Sequence, residues 1–152
     1  MLIVRHGEKL NPDSNTQNEP LSAAGQARAL ALRKTLLRSG VTAVYSTDTR
    51  RTRDTVAPLA AIFRLSTQPY TDANALANEV LAHHRGDVVV VAAHSDTMAA
   101  VANAFGAQLS TAPIADFDNI YVVSVAGNMS NVVNLQYAAD STPDATKTIA
   151  TP

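Results

Sequence analysis

Apolar residues in this chain occur in short runs, separated by longer stretches in which apolar and polar residues recur at helical spacing. A short run rich in valine, isoleucine and leucine is typical of a buried strand, and an apolar repeat of three to four residues is typical of a packed helix. The strand pattern occurs at 2–4, 41–45, 65–69 and 87–93. The helical pattern occurs at 22–37, 51–63, 75–84 and 98–105. Strands and helices are therefore predicted to alternate along most of the chain.

Two features predict how these elements are arranged. Residues 88–91 are four consecutive valines, which indicates a strand buried on both faces at the centre of a parallel sheet. Further on, the runs 121–125 and 132–135 flank Ala126-Gly127-Asn128 and predict an antiparallel hairpin at the sheet edge. The predicted fold class is therefore α/β, a three-layer αβα sandwich whose mostly parallel central sheet carries an antiparallel edge hairpin near the C-terminus.

The chain length and the position of polar segments indicate a single domain. A chain of 152 residues is long enough to bury one substantial core, and we assign residues 1–137 to that domain. Residues 138–152 are rich in Thr, Ala, Asp and Pro, and we expect this tail to fray. The polar segment 9–21 is long for a connection between a strand and a helix, which is typical of functional loops.

Composition narrows the possible functions. The net charge is −1, from 12 basic and 13 acidic residues, which argues against a dedicated nucleic-acid binder, so any basic site must be local. The absence of cysteine excludes disulfides, zinc thiolates and thiol nucleophiles. No apolar run approaches the roughly 18 residues of a membrane span, so we expect no membrane association. We expect a cytoplasmic protein, or a periplasmic or secreted one if an export signal has been removed.

Basic residues and histidines follow the predicted strands. His6 follows the first strand, His94 follows the valine run, Arg5 adjoins His6, and Arg50-Arg51-Thr52-Arg53 opens the second helix. In an open α/β sheet, ligands bind at the carboxyl ends of the strands. The helix dipole makes a cation at a helix N-terminus unfavourable. An anion bound there offsets this unfavourable interaction. The three strand ends taken together therefore predict an anion site. For the arginines of the second helix taken by themselves, the alternative is a solvated cluster on the surface.

Five segments of the chain resemble one protein family. They are Arg5-His6-Gly7-Glu8, the segment 20–29 (PLSAAGQARA), the segment 46–55 (STDTRRTRDT), the segment 91–95 (VAAHS) and Asp118-Asn119-Ile120-Tyr121. In this order they resemble the motifs of the histidine phosphatase (phosphoglycerate mutase-like) superfamily. The short chain is most similar to the small phosphohistidine-phosphatase type, since it lacks the length for an insertion that encloses the substrate.

The resemblance implies a role for each matching residue. His6 matches the nucleophile that forms a phosphohistidine, Arg5 matches a cation of the phosphate pocket, and His94 matches the second pocket histidine. Ser95 follows His94 and is expected to contact the substrate. These roles agree with elementary electrostatics, because nearby arginines lower the pKa of a histidine and keep its attacking nitrogen neutral. Two guanidiniums also match the geometry of phosphoryl oxygens.

The second pocket arginine has two candidates. Counting four residues back from Thr55 gives Arg51, and counting four on from Ser46 gives Arg50. We select Arg51, because Arg51-Thr52-Arg53-Asp54-Thr55 fits the helical half of the motif. Arg50 is kept as the alternative.

The proton donor for the leaving group is the position at which this sequence departs from the family pattern. Larger members carry a glutamate after the second helix, where this chain offers Asp72, and Glu8 beside the catalytic turn is the other candidate donor. Without a positioned acid, substrates with poor leaving groups react slowly, whereas a phosphoramidate leaves more readily. The expected function is therefore a metal-independent phosphatase without a cofactor. It would act on phosphomonoesters or phosphoramidates, including protein phosphohistidine, through phosphorylated His6.

Two other functions remain open. One is a phosphoglycerate mutase-like enzyme or a specific small-molecule phosphomonoesterase. The other is a non-catalytic module that binds phosphate or phosphoproteins. In each case the expected partner is a phosphorylated small molecule or a phosphoprotein, and the sequence predicts no oligomeric state.

Other constellations of polar residues do not predict a site. His94-Ser95-Asp96 is no hydrolase triad, because adjacent residues diverge and no G-x-S-x-G elbow is present. His83-His84 is expected at a solvated helix end, and Asp116 and Asp118 are expected to be turn residues before a strand. The chain has neither a GxGxxG motif nor a P-loop, which argues against a nucleotide cofactor.

Overall fold

The computed structural model of the protein describes residues 1–127 and 129–138, and within them six strands and four helices form. The strands are β1 (Leu2–Arg5), β2 (Val41–Ser46), β3 (Thr67–Pro69), β4 (Val88–Ala93), β5 (Asn119–Ala126) and β6 (Met129–Gln136). The helices are α1 (Ala23–Thr35), α2 (Arg50–Phe63), α3 (Ala73–His83) and α4 (Met98–Ala104). No helix in this part of the chain is long and apolar enough to cross a bilayer.

The six strands form one sheet with the order β3-β2-β4-β1-β5-β6. The first four strands in this order are parallel, and β5 and β6 run antiparallel at the edge. The valine-rich β4 lies between β2 and β1 and is buried along nearly its whole length, as its continuous apolar run predicts. The predicted α/β class, with its mostly parallel sheet and antiparallel edge hairpin, is confirmed.

Neighbouring residues of each central strand point to opposite faces of the sheet, which produces two cores. One core contains side chains from α3 and α4 together with Ile3, Tyr45 and Val91. The other contains side chains from α1 and α2 together with Val4, Val44 and Val90. Helices therefore cover both faces, and the carboxyl ends of β1, β2 and β4 come together at one edge of the three-layer structure.

Helix α1 buries an arginine while it exposes one of its leucines. Leu30 is 48% exposed, whereas Leu32 is fully buried and the Arg28 side chain is only 6% exposed. The reason is an ion pair between Arg28 and Glu8, which turns the arginine towards the sheet. A charged residue thus occupies a position on the buried face of the helix.

The C-terminal hairpin is longer than the sequence predicts, because β5 and β6 each contain eight residues. Gly127 in its turn has φ +61°, a left-handed conformation that suits glycine. Asn128, the last residue of the predicted turn, lies outside the described residues. The predicted tail, from residue 139 onwards, also lies outside them.

The turn after β1 lies directly against the first turn of α1. A Cβ atom added to Gly7 would lie 2.9 Å from the carbonyl oxygen of Gly25, and one added to Gly25 would lie 2.9 Å from the amide nitrogen of Glu8. Side chains at either position would overlap with backbone. The amide of Ser22, the N-cap of α1, also donates to the Glu8 carbonyl at 2.9 Å. The backbone of α1 therefore determines where residues 6–8 lie.

Candidate active site

The carboxyl ends of β1 and β4 and the start of α2 surround one cavity of about 400 Å³. Its lining includes Arg5, His6, Arg51 and His94, and also Lys9, Asn15, Ser95, Asp96 and Thr97. The predicted site residues, which are far apart in sequence, are thus brought together. Arg50 is not among the lining residues and forms an exposed ion pair with Asp54 at 3.4 Å.

His6 is 5% exposed, and its ring is fixed by a hydrogen bond to its own turn. Nδ1 lies 2.8 Å from the Gly7 carbonyl oxygen, and because a carbonyl only accepts, Nδ1 carries the proton and donates it. Nε2 therefore keeps its lone pair. Burial lowers the pKa of His6 to about 3, the Gly7 carbonyl acts in the opposite direction, and His94 and the two arginines of the cavity lower the pKa further. His6 is consequently neutral at physiological pH.

Arg5 connects the cavity to the loop before β5. Its guanidinium donates to the carbonyl oxygen of Ile114 at 2.9 Å and also to that of Ala115. The guanidinium carbon lies 3.7 Å from the centre of the Phe117 ring, a cation–π contact. These contacts hold the guanidinium beside the His6 ring, whose centre is 6.0 Å from that of Phe117.

His94 is held by a hydroxyl group at the end of β2. Its Nε2 lies 2.8 Å from Oγ1 of Thr47, and its ring centre lies 5.2 Å from that of His6. Burial lowers the pKa of His94, and Arg51 lowers it further, whereas Asp96 acts in the opposite direction. The two imidazoles therefore form one edge-to-face pair at the base of the cavity.

Arg51 and Thr55 connect α2 to the turn after β1. The Arg51 guanidinium donates to the carbonyl of Thr16 at 3.0 Å, in the polar loop that walls the cavity. The Thr55 hydroxyl donates to the Arg51 carbonyl at 2.7 Å and accepts a hydrogen bond from the amide of Gly7 at 2.8 Å. This threonine fixes the distance between the first turn of α2 and the turn that carries His6.

Neither predicted proton donor lies on the cavity. The Glu8 carboxylate accepts hydrogen bonds of 2.6–3.0 Å from Nε and the terminal guanidinium nitrogen of Arg28. Burial raises the pKa of Glu8, but the hydrogen bonds and charge of Arg28 outweigh it, and the net pKa is lowered. Asp72 caps α3 by accepting from the amide of Ala75 at 2.7 Å. Both carboxylates thus have structural partners.

Comparison with protein families finds a match in the N-terminal half of the chain. The model of the histidine phosphatase superfamily (branch 1) matches residues 1–74, which contain the Arg5-His6-Gly7 turn and the first helical residues of α2. The N-terminal half of the chain is therefore similar to the histidine phosphatase superfamily. No curated protein matches its sequence.

Several solved structures share the fold of this chain. One is the protein histidine phosphatase SixA in complex with tungstate, with a TM-score of 0.71 and 17% identity over 89% of this chain and 95% of that one. Another is a mycobacterial glucosyl-3-phosphoglycerate phosphatase in complex with VO3, with a TM-score of 0.70 and 16% identity over 91% and 98%. A third, a putative alpha-ribazole-5'-P phosphatase from Escherichia coli, has a TM-score of 0.71 and 11% identity over 89% and 95%. At these identities the likeness concerns the fold.

Several residues that line the cavity, or that hold its lining side chains in place, carry no sequence signal of their own. Thr47 lies inside a matched motif but at a variable position of it, and Phe117 is an isolated aromatic in an irregular loop. Lys9 and Asn15 lie in the polar loop, whose length indicated function without indicating which side chains face the cavity. Within residues 1–127 and 129–138, no three His, Asp or Glu side chains are grouped so that they could hold a metal ion.

The Glu8–Arg28 pair should make folding stability depend on pH. Because the folded-state pKa of Glu8 lies below its ordinary value of 4.5, the pair stabilises the fold fully above that value and is lost as the pH falls through the lowered one. Glu8→Gln removes the carboxylate that pairs with the buried Arg28 guanidinium. It should lower the free energy of unfolding at pH 7 by about 2 kcal/mol, less than for fully buried pairs because Glu8 is partly exposed.

Urea unfolding of both proteins between pH 8 and pH 3 measures this difference. It should be constant down to about pH 5 and decrease in more acidic solution. Glu79→Gln is the matched control, since the Glu79 side chain is 54% exposed and lies 3.8 Å from a histidine on the same helix. Equal stability of wild type and Glu8→Gln at pH 7 would contradict the role assigned to the pair.

Proposed function

We propose that this protein is a metal-independent phosphatase that hydrolyses phosphomonoesters or phosphoramidates through a phosphohistidine on His6. The observation that supports this most directly is the state of the His6 ring, whose Nδ1–H is donated to Gly7 and whose Nε2 keeps a lone pair beside two arginines and His94. Nε2 would attack phosphorus as the bond to the leaving group breaks. Water would then attack the phosphohistidine, releasing phosphate and restoring the ring.

The arginines supply the charge that this reaction needs. Phosphoryl transfer depends on positioning and on stabilising the equatorial oxygens, and guanidinium groups offer several N–H donors in a fixed plane. Nε of Arg5 and Nε of Arg51 are both buried, without a hydrogen-bond partner among the described residues. Phosphoryl oxygens would satisfy such donors, since buried polar groups left unpaired are costly.

Phosphohistidine on a protein is one substrate class that we propose. The fold is shared by SixA, described as a protein histidine phosphatase and solved with tungstate, and by a glucosyl-3-phosphoglycerate phosphatase solved with VO3. Both bound groups are oxyanions. A P–N bond breaks more readily than an alkyl P–O bond, and imidazole is a better leaving group than an alkoxide. A specific small-molecule phosphomonoester is the second candidate class, which the likeness to the sugar-phosphate phosphatase favours.

The phosphoenzyme is the species that tests the proposal. Incubation with phenyl phosphate carrying a radioactive phosphoryl group, followed by a quench in base, should give a label that is stable in base and released in acid. Digestion should locate it on the peptide that contains His6. Phosphate release without any such label would contradict the covalent route, and binding of phosphate without turnover of any ester or phosphoramidate would favour a non-catalytic binding module.

Neutral His6 has a consequence that can be measured without substrate. Because burial lowers the pKa of His6 to about 3, its ring should take up no second proton between pH 8 and pH 5, whereas an unfolded histidine titrates near 6.5. NMR of the ring protons should show one histidine whose chemical shift is constant over this range and which is absent from His6→Asn. The same resonance should titrate normally once the protein is unfolded in urea.

A further inference from the structure

Among the described residues that line the cavity, Asp96 supplies the carboxylate. It lies in the turn between β4 and α4, directly after the second histidine of the site. The turn is well ordered, because the amides of Thr97 and Met98 both donate to the His94 carbonyl at 3.0 Å and the His94 amide donates to the Thr97 hydroxyl at 2.9 Å. Asp96 itself is exposed, so it can exchange protons with solvent.

The charge of Asp96 reaches the groups that surround the His6 ring. Burial lowers the pKa of Arg5, of Arg51 and of His94, and Asp96 acts in the opposite direction on all three, together with Glu8 and Asp116 on Arg5 and with Glu19 on Arg51. Asp96 is thus the carboxylate shared by three groups, which lie at the end of β1, in α2 and directly after β4. Glu8 and Asp72, in contrast, are held by Arg28 and by the amide of Ala75 outside the cavity lining.

We propose that Asp96 is the catalytic residue that donates the proton to the leaving group. The inference rests on the function proposed above. In the first step Nε2 of His6 bonds to phosphorus, the electron pair of the breaking bond goes to the leaving oxygen or nitrogen, and that atom takes the proton of the Asp96 carboxyl. In the second step a water oxygen attacks phosphorus, the Asp96 carboxylate takes a proton from that water, and the electron pair of the P–N bond returns to Nε2.

The bound phosphoryl group prepares Asp96 for this role. A phosphoryl dianion offsets the positive charge of the cavity. The titratable and charged groups that face this space are Arg5, His6, Lys9, Arg51 and His94. Substrate binding therefore reduces the net positive charge around Asp96, and transfer of its proton to the leaving group leaves a carboxylate that can act as a base.

The test compares leaving groups in Asp96→Asn, an isosteric change at an exposed position. Quench-flow measures formation of the phosphoenzyme from p-nitrophenyl phosphate, whose leaving group is a stable anion, and from phenyl phosphate, whose leaving group needs a proton. The phenyl phosphate rate should fall by about 10²- to 10³-fold, within the range for general acid catalysis, and the p-nitrophenyl phosphate rate by much less. Asp96→Glu should restore part of the phenyl phosphate rate.

Asp72→Asn is the matched control, since asparagine caps a helix as well as aspartate does, and it should change neither rate. Equal slowing of both substrates by Asp96→Asn, or no slowing of either, would overturn the assignment to Asp96 while the wild-type phosphoenzyme still supported the proposed function. Absence of a phosphoenzyme in the wild type would overturn the proposed function itself. Thermal unfolding of each variant checks that the fold is retained.

Discussion

Replacing His6 with asparagine should lower kcat/KM for phenyl phosphate by about 10⁴- to 10⁶-fold, the range found when a covalent nucleophile is removed from an enzyme. Asparagine retains a polar side chain in the buried position but offers no nitrogen lone pair that can attack phosphorus. The loss should fall on kcat, because the arginines that would bind the phosphoryl group are unchanged. Steady-state kinetics with calorimetric measurement of phosphate binding separates the two effects.

His83→Asn is the matched control for this variant. The His83 side chain is 65% exposed on α3 and lies outside the cavity lining, so the same substitution there should leave kcat/KM unchanged. If His6→Asn retained more than about a tenth of the wild-type rate, the nucleophile would have to be a different group. A large loss in both variants would indicate damage to the fold, which circular dichroism detects.

The second large effect concerns the adjacent arginines at the start of α2. Arg51→Ala should reduce kcat/KM by about 10²- to 10³-fold, as for removal of one preorganised donor to a transition-state oxyanion. Arg50→Ala should leave kcat/KM unchanged, because Arg50 points to Asp54 at the surface. It should also change the free energy of unfolding by less than about 1 kcal/mol, as for an exposed ion pair.

This pair of variants is informative because the two residues have the same chemistry and adjoin each other. Arg51→Lys adds a further comparison, since lysine keeps the charge but loses the planar set of donors. It should recover phosphate binding better than it recovers kcat. If Arg50→Ala were the damaging change, the position of the phosphoryl group proposed for this cavity would be wrong.

The sequence predicts most features of the sheet but only some of the residues that form the cavity. The central place of β4 and the position of the edge hairpin follow from local patterns, namely the valine run and the two C-terminal apolar runs. The two histidines follow directly from this, since they come immediately after strands whose carboxyl ends meet. The choice between Arg50 and Arg51, in contrast, depends on which of them lies on the side of α2 that faces the cavity. Counting from the two ends of the motif gives different residues and so cannot decide this.

Long-range contacts account for what the sequence could not predict. Arg28 is buried because it pairs with Glu8, which lies outside its own helix. A prediction from the pattern of polar and apolar residues places any arginine at the surface. The contacts of Arg5 with Ile114 and Ala115 use backbone carbonyls, which every residue possesses, so no motif marks them. Asp96 was predicted to have no role in a triad, and its place on the cavity depends on the course of the turn after β4.

The close approach of Gly7 and Gly25 has a mechanical consequence for the nucleophile. A contact between two backbones contains no rotatable side chain, so it cannot adapt to a small shift by changing rotamer. Any displacement of the first turn of α1 would therefore be passed on to the turn that carries His6. Substitutions on the exposed face of α1 can be absorbed locally, whereas a change in the tilt of that helix would alter the direction in which the imidazole points.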